Sequence, residues 1–344
     1  MLLIRDERRR ELVSVRNYLL SSQITTMSST AVDDDDDGNT MLSCAGCGKA
    51  EGDDIKLKRC NACYLVRYCG VKCQKEHRSK HKKACKKRAA ELYDEILFKQ
   101  PESSHHGDCP ICCLPLPIEL EKSYMMTCCG KLLCGGCNYA NQQRELDQRL
   151  EEKCPFCRLP AAYTEEEQLR YVRKRIEAND PVAMTEMGMV CLKRGDNKNA
   201  FNYLTKAAAL GNAQAHYNLS IIYHAGMGVE KDEKKCLYHS EQAAIGGHSV
   251  ARYNLGSKEK SNGKMDRAVK HWIIGAKLGG AESVDAVKNC FKNGLVSKED
   301  FTAALRAYQA AIEATKSPQR EEAVQNTQKL KEAEKFLEWT YRGG

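Results

Sequence analysis

Seven cysteines and one well-placed histidine, His81, between Cys44 and Cys85 constrain this chain more than any other feature. They stand in the order C-x2-C, x12, C-x2-C, x5, C-x3-C, x7, H-x3-C. Thiolate and imidazole groups at such separations are the ligands of tetrahedral structural zinc, and eight of them supply two sites. A segment this short cannot bury enough apolar surface to fold alone. Metal would therefore have to supply its folding free energy, on the order of 10–16 kcal/mol per zinc.

This stretch resembles a MYND-type zinc finger, including its Tyr68-Cys69 and Cys73-Gln74 pairs and its closing HKKAC. The resemblance implies that alternate ligand pairs share a metal ion. One zinc would take Cys44, Cys47, Cys69 and Cys73, and the other would take Cys60, Cys63, His81 and Cys85. The family pattern leaves His77 free. It also implies docking of peptide partners, commonly proline-rich ones.

A second cysteine-rich stretch, from Cys109 to Cys157, contains DCPICCLPLP, MTCCGKLLCGGC and CPFCR, and its outer pairs resemble a RING finger. The resemblance implies a cross-brace of two zinc sites. One site takes Cys109, Cys112, Cys134 and Cys137, and the other takes Cys128, Cys129, Cys154 and Cys157. The middle pair departs from the family, which usually has C-x-H where this chain has Cys129-Gly130-Lys131. In this interpretation Cys128 replaces the missing histidine, and the chain binds two zinc ions in each stretch.

The RING resemblance also implies three residues that contact partners. Ile111 and Pro155 match the family's apolar contact and second contact loop for a ubiquitin-conjugating enzyme. Arg158 matches the position from which a cation touches both that enzyme and ubiquitin. The alternative is that Ile111 and Pro155 shape their loops and that Arg158 is a surface charge.

The cysteine distribution bears on the cellular compartment. Of 19 cysteines, 16 lie between Cys44 and Cys157, mostly in pairs too close for ordinary disulfides. No apolar signal-peptide core opens the sequence, and no apolar run is long enough to span a membrane. We therefore expect an intracellular protein of the cytoplasm or nucleus, with no membrane contact. Met27 is an alternative start to Met1.

Positive charge is concentrated in the first cysteine-rich stretch. Residues 44–88 carry fourteen Lys and Arg against four Asp and Glu, a formal +10, whereas the whole chain is +8. Nucleic-acid binding would account for this, but no aromatic stacking platform is interleaved with the charges. A solvated helix surface is the favoured interpretation, and nucleic acid is not the expected partner.

From Asp180 the sequence repeats. Units begin at Asp180, Asn212, His248 and Gly280, and each offers a helix, a polar or glycine turn and a second helix. Small residues recur where helices must approach, and Gly211, Gly247 and Gly279 stand just past predicted helix ends. The region resembles Sel-one-like repeats, relatives of the tetratricopeptide repeat, which implies a concave surface that holds other proteins. The aromatics Tyr217, Tyr223, Tyr253 and Trp272 are groove anchors or inter-repeat core, and core is favoured for Tyr217 and Tyr253.

The expected fold is therefore multidomain and mainly α, with two small zinc-stabilised modules followed by an α/α solenoid of helix-pair repeats. The predicted segments are a disordered acidic tail at 1–43, the MYND-type finger at 44–85, a helix and linker at 86–108, the RING-like finger at 109–158, repeats at 164–317 and a C-terminal helix at 318–344. That last helix is indicated by Val324, Leu330, Ala333 and Leu337, and it is expected to cover the open end of the solenoid.

Two functions of different classes remain open. The sequence contains no phosphate-binding glycine loop, no nucleophile elbow and no zinc-protease motif. Closed zinc sites, filled by four protein ligands, also disfavour hydrolytic chemistry. One hypothesis is a non-catalytic adaptor that docks one peptide on the MYND-type finger and holds a second protein on the repeats. The other is a RING-type ubiquitin ligase.

Overall fold

The computed structural model describes residues 43–119 and 122–342. They divide into two units at Ala89 and Ala90, inside one long helix. The predicted disordered tail, apart from Ser43, lies outside the described residues. None of the described helices combines the length and the apolar character needed to cross a membrane.

The first unit is built around its own cysteines. A two-stranded antiparallel sheet pairs β1 (Lys58–Arg59) with β2 (Arg67–Tyr68), and helix α1 (Val71–Leu97) follows. Its core consists of cysteine side chains together with Leu57 and Tyr68. The helix begins fifteen residues before the predicted position 86 because the last ligands of the finger themselves lie on it.

The second cysteine-rich stretch belongs to the second unit. It contains the antiparallel strands β3 (Ser123–Met125) and β4 (Leu132–Cys134), followed by helix α2 (Gly135–Asp147). Helix α3 (Glu165–Glu177) comes next, and a T-x-x-E capping box opens it. The Thr164 side chain accepts from the Glu167 N–H, and the Glu167 carboxylate accepts from the Thr164 N–H.

Four helix pairs follow in the predicted register. They are α4 (Pro181–Lys193) with α5 (Asn197–Ala209), α6 (Ala213–Ala225) with α7 (Glu233–Ile245), α8 (Ser249–Ser261) with α9 (Met265–Lys277), and α10 (Ala281–Lys292) with α11 (Lys298–Ala314). The predicted unit starts at 180, 212 and 248 are side-chain N-caps, and Gly280 is the fourth N-cap residue. The prediction of a mainly α chain, with a solenoid after two cysteine-rich modules, is confirmed.

Small residues allow the helices to pack closely. The recurring alanines at 183, 215 and 251, and at 208, 244 and 276, are at most 4% exposed. Trp272 is buried in a cluster against which Tyr253 packs, and Tyr217 packs against a separate cluster around α8. Gly211, Gly247 and Gly279 have φ values of 83°, 83° and 86°, the left-handed conformation expected after a helix end.

The segment after α1, predicted as a linker, packs along the repeat turns instead. The backbone N–H of His105 donates to the Gly247 carbonyl over 3.2 Å, and the His105 ring stacks on His248 with centroids 4.2 Å apart. Buried Arg252 donates to the Leu97 carbonyl. We call residues 98–108 the strap. The hydrogen bond and the ring stacking of His105 hold this polar sequence against the repeats, so it is not a free linker.

The last helix is present, but its packing differs from the expectation. Helix α12 (Pro318–Arg342) packs on α2 of the second cysteine-rich stretch, and Asn326 donates to the Tyr139 hydroxyl over 2.7 Å. Ala323 is buried on α12, whereas the Val324 side chain is 50% exposed. The face of α12 is set by α2, which the pattern of α12 alone does not reveal.

Candidate metal centres

Four groups of side chains each bring four potential metal ligands together. In every group the ligand atoms lie within 4.8 Å of one another. The groups are Cys44, Cys47, Cys69 and Cys73; Cys60, Cys63, His81 and Cys85; Cys109, Cys112, Cys134 and Cys137; and Cys128, Cys129, Cys154 and Cys157. These are the four sets implied by the two family resemblances.

The first two groups share helix α1. Cys73, His77, His81 and Cys85 follow one another at intervals of four, so they lie on one face of that helix. The structure places His81 Nε2 3.2 Å from Cys63 Sγ. His77 lies outside the group, and its Nδ1 is 3.1 Å from the Tyr68 hydroxyl. The position of His77 therefore agrees with a supporting role beside the metal ligands.

The third group surrounds the start of α2. Cys134 ends β4 and is the N-cap of α2, and its sulfur accepts from the Cys137 N–H over 3.4 Å. Cys112 Sγ lies 3.8 Å from Cys134 Sγ. Cys109, Cys134 and Cys137 are buried, so three of the four side chains are shielded from solvent, as in the group of Cys60, Cys63, His81 and Cys85.

The fourth group includes the irregular middle pair. Cys128 Sγ lies 3.3 Å from Cys157 Sγ, and Cys129 Sγ lies 3.7 Å from Cys154 Sγ. Lys131, which stands where the RING family has histidine, points elsewhere. Its Nζ lies 4.6 Å from the centroid of the Phe156 ring, in a cation–π contact. Two adjacent cysteines thus reach the same group, and the lysine has a different partner.

The donor geometry fits zinc. Four sulfurs bonded to zinc at about 2.3 Å lie about 3.8 Å apart at the corners of a tetrahedron. The close sulfur pairs in the four groups are 3.3–3.9 Å apart. All nineteen cysteines lie in the described part of the chain, and none of them forms a disulfide. The chemistry that zinc supplies in such closed sites is structural cross-linking.

Despite burial, backbone N–H groups lower the pKa of the first cysteine in each stretch. Burial raises the pKa of the Cys44 thiol, but N–H groups of Cys69, Cys47 and Gly46 outweigh burial and lower the pKa to about 6. Burial likewise raises the pKa of Cys109, and three backbone N–H groups lower it to about 7. Both thiols are therefore biased toward the thiolate, the form that binds metal.

Comparison with known proteins agrees with this geometry. The family model of the MYND finger matches residues 44–85, and the Sel1 repeat model matches residues 181–212 and 213–248. The chain therefore contains a MYND finger and Sel1 repeats. Zinc binding follows for the finger, while the number of ions in the whole chain is part of the proposal below.

Two curated relatives cover part of the chain. The DAP3-binding cell death enhancer 1 of Mus musculus is 24% identical over 196 residues, which span 45% of this chain and 38% of the mouse protein. The Rattus norvegicus protein of the same name is 23% identical over 202 residues, spanning 47% and 40%. The aligned part is thus less than half of either relative.

Solved structures of Sel1 proteins also match in part. A Sel1 repeat protein from Oxalobacter formigenes is 20% identical, with a TM-score of 0.39 over 50% of this chain and 51% of its own. The c5321 protective antigen of uropathogenic Escherichia coli, which displays an SLR fold, is 24% identical, with a TM-score of 0.36 over 49% and 37%.

The three candidate partner-binding residues lie in the second cysteine-rich stretch. Ile111 is 45% exposed, Arg158 is exposed, and Pro155 is half-buried. Arg158 has a φ of 62°, in the left-handed region, directly after the last cysteine. Ile111 and Arg158 are thus accessible to a partner.

Two residues that the sequence analysis missed support this stretch from outside. Arg175 of α3 and Arg320 of α12 are 8% and 7% exposed, and both donate to backbone carbonyls of its metal loops. Arg175 lies three residues after Val172, on the same face of α3. An arginine on the apolar face of a predicted helix is the sequence signal that could have identified it. No comparable signal marks Arg320.

The helix pairs carry two clefts that share helix α8. One, of about 760 Å³, lies among α8, α9 and α10, and the other, of about 470 Å³, lies among α6, α7 and α8. Tyr253, Ser257 and Ser261 line both. The two clefts are therefore neighbours on the second to fourth helix pairs.

Proposed function

We propose that this protein is a non-catalytic zinc-dependent adaptor, in which the MYND finger docks a peptide and the Sel1 repeats hold a second protein. The observation that carries the proposal is the pair of clefts that share α8 as a wall, because they offer one recognition surface across three repeats. The closed, four-ligand geometry of all four metal groups agrees with a structural role for zinc. The location in the cytoplasm or nucleus stays a prediction.

Blocking the shared wall tests the repeat surface. Ser261 is exposed and lines both clefts, so Ser261→Arg adds bulk there without disturbing the core. We expect that variant to lose the partners that copurify with the wild-type chain, while Asn202→Arg, an exposed change on α5, keeps them. Quantitative affinity purification with mass spectrometry measures both. Equal partner recovery from the two variants would contradict the proposed surface.

The names of the mouse and rat relatives state that they bind DAP3. We propose a DAP3 homologue as the first partner to test against the full chain. Isothermal titration with the purified homologue is expected to show saturable binding that Ser261→Arg weakens by at least about tenfold, or about 1.4 kcal/mol. Absence of binding would exclude this partner. The adaptor proposal would then be tested by the affinity purification alone.

Peptide docking by the MYND finger has a separate test. Leu65 and Val71 are 55% and 65% exposed on the finger, so both are available to a peptide. We expect Leu65→Ala and Val71→Ala to weaken binding of proline-rich peptides in fluorescence anisotropy, while Asp53→Ala, another exposed change, does not. If no peptide of a proline-rich library binds the wild type, this part of the function fails.

A second candidate is a RING-type ubiquitin ligase that uses residues 109–158. The observation that favours it is the exposure of Ile111 and Arg158 beside cross-braced cysteine groups. A RING finger performs no chemistry itself and acts by positioning a charged conjugating enzyme. Autoubiquitination with a panel of conjugating enzymes is expected to depend on Ile111 and Arg158 and not on Tyr124, a residue 41% exposed. Silence across the panel would remove the ligase function.

The metal content of the chain completes the proposal. We propose two zinc ions in the MYND finger and two in residues 109–157. Elemental analysis of the purified full chain is therefore expected to give about four zinc ions per chain. A value near two would show that the second cysteine-rich stretch is not a zinc site.

A further inference from the structure

The buried arginines Arg175 and Arg320 hold the second cysteine-rich stretch between the first and last described helices that follow it. Arg175 lies on α3, before the repeats, and Arg320 lies on α12, after them. Each arginine packs against a glycine of the second stretch, Arg175 through its guanidinium on Gly130 and Arg320 through its backbone and Cγ on Gly136. The stretch therefore connects the two ends of the repeat array.

The contact of Arg320 includes a metal ligand directly. Its Nη2 donates to Cys112 Sγ and to the Leu114 carbonyl, both over 3.2 Å. Its Nη1 donates to the Pro115 carbonyl over 2.8 Å and to the Thr315 carbonyl over 2.7 Å. The two Nη atoms of the guanidinium thus donate to four acceptors, a fixed fork that a lysine cannot reproduce.

The fit between α12 and the metal loop is tight. A Cβ at Gly136, the second residue of α2, would lie 2.9 Å from the N, Cα and Cγ atoms of Arg320. Backbone therefore meets backbone at this point, between Cys134 and Cys137. Any change in the loop around these two ligands is transmitted to the start of α12.

The two arginines differ in their counter-charges. Arg175 donates to Asp180 and to Glu186, both over 2.9 Å, so two carboxylates balance it whatever the state of the cysteines. Among the side chains that the structure describes, no carboxylate lies within 4 Å of the Arg320 guanidinium. Its nearest anion is the Cys112 sulfur, which is a thiolate when zinc is bound. A zinc with four thiolates carries a formal charge of about −2.

We infer that zinc in the Cys109, Cys112, Cys134 and Cys137 site and the docking of α12 are thermodynamically coupled through Arg320. A buried guanidinium is stable where an anion compensates it and costly where none does. Zinc binding fixes the thiolate charge and so stabilises α12 on the loop; by linkage, docked α12 retains zinc. Arg320 is thus a positioning residue outside the ligand set. The inference rests on the proposed zinc site at residues 109–137.

Chelation of the zinc-loaded full chain tests one direction of the coupling, with hydrogen exchange followed by mass spectrometry. As peptides covering 109–137 lose protection, peptides from the start of α12 are expected to lose protection in step. Peptides from α3 are expected to keep theirs, because Arg175 has carboxylate partners. Persistent protection of α12 after this zinc has left overturns the inference.

Substitution tests the other direction. Arg320→Gln is expected to speed zinc loss from this site about 10–100-fold in a chromophoric chelator assay, with Arg320→Lys between it and wild type. The two zinc ions of the MYND finger serve as an internal reference. Lys316→Gln, a change of an exposed lysine nearby, should leave all rates unchanged. If Arg320→Gln loses zinc at the same rate as the wild type, the inference is overturned. If the wild type contains only two zinc ions in total, the proposed site on which the inference rests is overturned instead.

Discussion

The two cysteine-rich stretches use the same side-chain chemistry but are supported differently. The MYND finger packs its cysteines against its own Leu57 and Tyr68, and the second stretch packs its cysteines against its own Leu116 and Leu133. The second stretch also receives buried arginines, Arg175 and Arg320, from helices outside it. The second stretch is thereby tied into the helical unit.

The largest effect expected from this comparison is the loss of the MYND finger alone. Cys63→Ser removes one ligand of a metal-dependent fold, at a cost on the order of 10 kcal/mol for a structural zinc. Hydrogen exchange is expected to show residues 44–70 unprotected and residues 181–292 unchanged. Cys113→Ser, at an exposed cysteine outside every ligand group, is the matched control. Loss of protection in the repeats as well would show that the finger is not autonomous.

Acid is expected to destabilise the helical unit through buried histidines. Burial lowers the pKa of His216 to about 4, of His248 to about 2 and of His271 to about 3. An unfolded histidine titrates near 6.5, so between these values the unfolded chain binds more protons. The free energy of unfolding therefore has its full value above pH 7 and falls as the pH drops below about 6.5. At pH 5 the loss is about 2 kcal/mol per buried histidine.

Chemical denaturation between pH 7.5 and pH 5 measures this loss. The Nδ1 of His248 accepts from the Ala251 N–H over 3.3 Å, so His248 caps α8 in its neutral form. His248→Asn keeps a capping acceptor and removes the titration, and is expected to reduce the slope by about 1.4 kcal/mol per pH unit. Exposed His224→Gln should not change the slope. A slope equal to wild type in both variants would refute the histidine origin.

A moderate effect is expected where α12 meets the second stretch. Gly136→Ala places a methyl group against the Arg320 backbone and is expected to cost about 1–3 kcal/mol by overpacking. Gly70→Ala in the MYND finger meets open space and should stay within about 0.5 kcal/mol. Thermal melts of the two variants compare the regions directly. Equal melting temperatures of the two variants would mean that α12 shifts enough to accommodate the added methyl group.

The smallest effects are expected at the exposed candidate contacts. Ile111→Ala and Arg158→Ala should change the free energy of unfolding by less than about 0.5 kcal/mol, because neither side chain is buried. Denaturant titration checks this. A loss above about 1 kcal/mol would favour the alternative that these residues shape their loops, and would weaken the ligase interpretation.

The sequence predicts the features whose signals are local. Ligand spacing within 42 residues predicts the composition of the MYND metal groups, and a repeat of 32 to 36 residues predicts the helix pairs to within their N-caps. The supports of the second stretch are not local. Arg175 reaches a carbonyl 48 positions away, and Arg320 reaches Cys112 across 208 positions. No pattern of a single helix encodes such contacts, nor the packing of α12 on α2.

The contacts at the end of helix α1 have a mechanical consequence. Three contacts hold this part of the chain on the helical unit: the Tyr93 hydroxyl donates to Glu241, Asp94 forms an ion pair with Arg267, and the Leu97 carbonyl accepts from Arg252. The three partner residues lie on α7, α9 and α8, in the second and third repeats. Tension applied to the chain at residue 90 therefore loads the middle of the solenoid first, and the second cysteine-rich stretch is shielded until these anchors break.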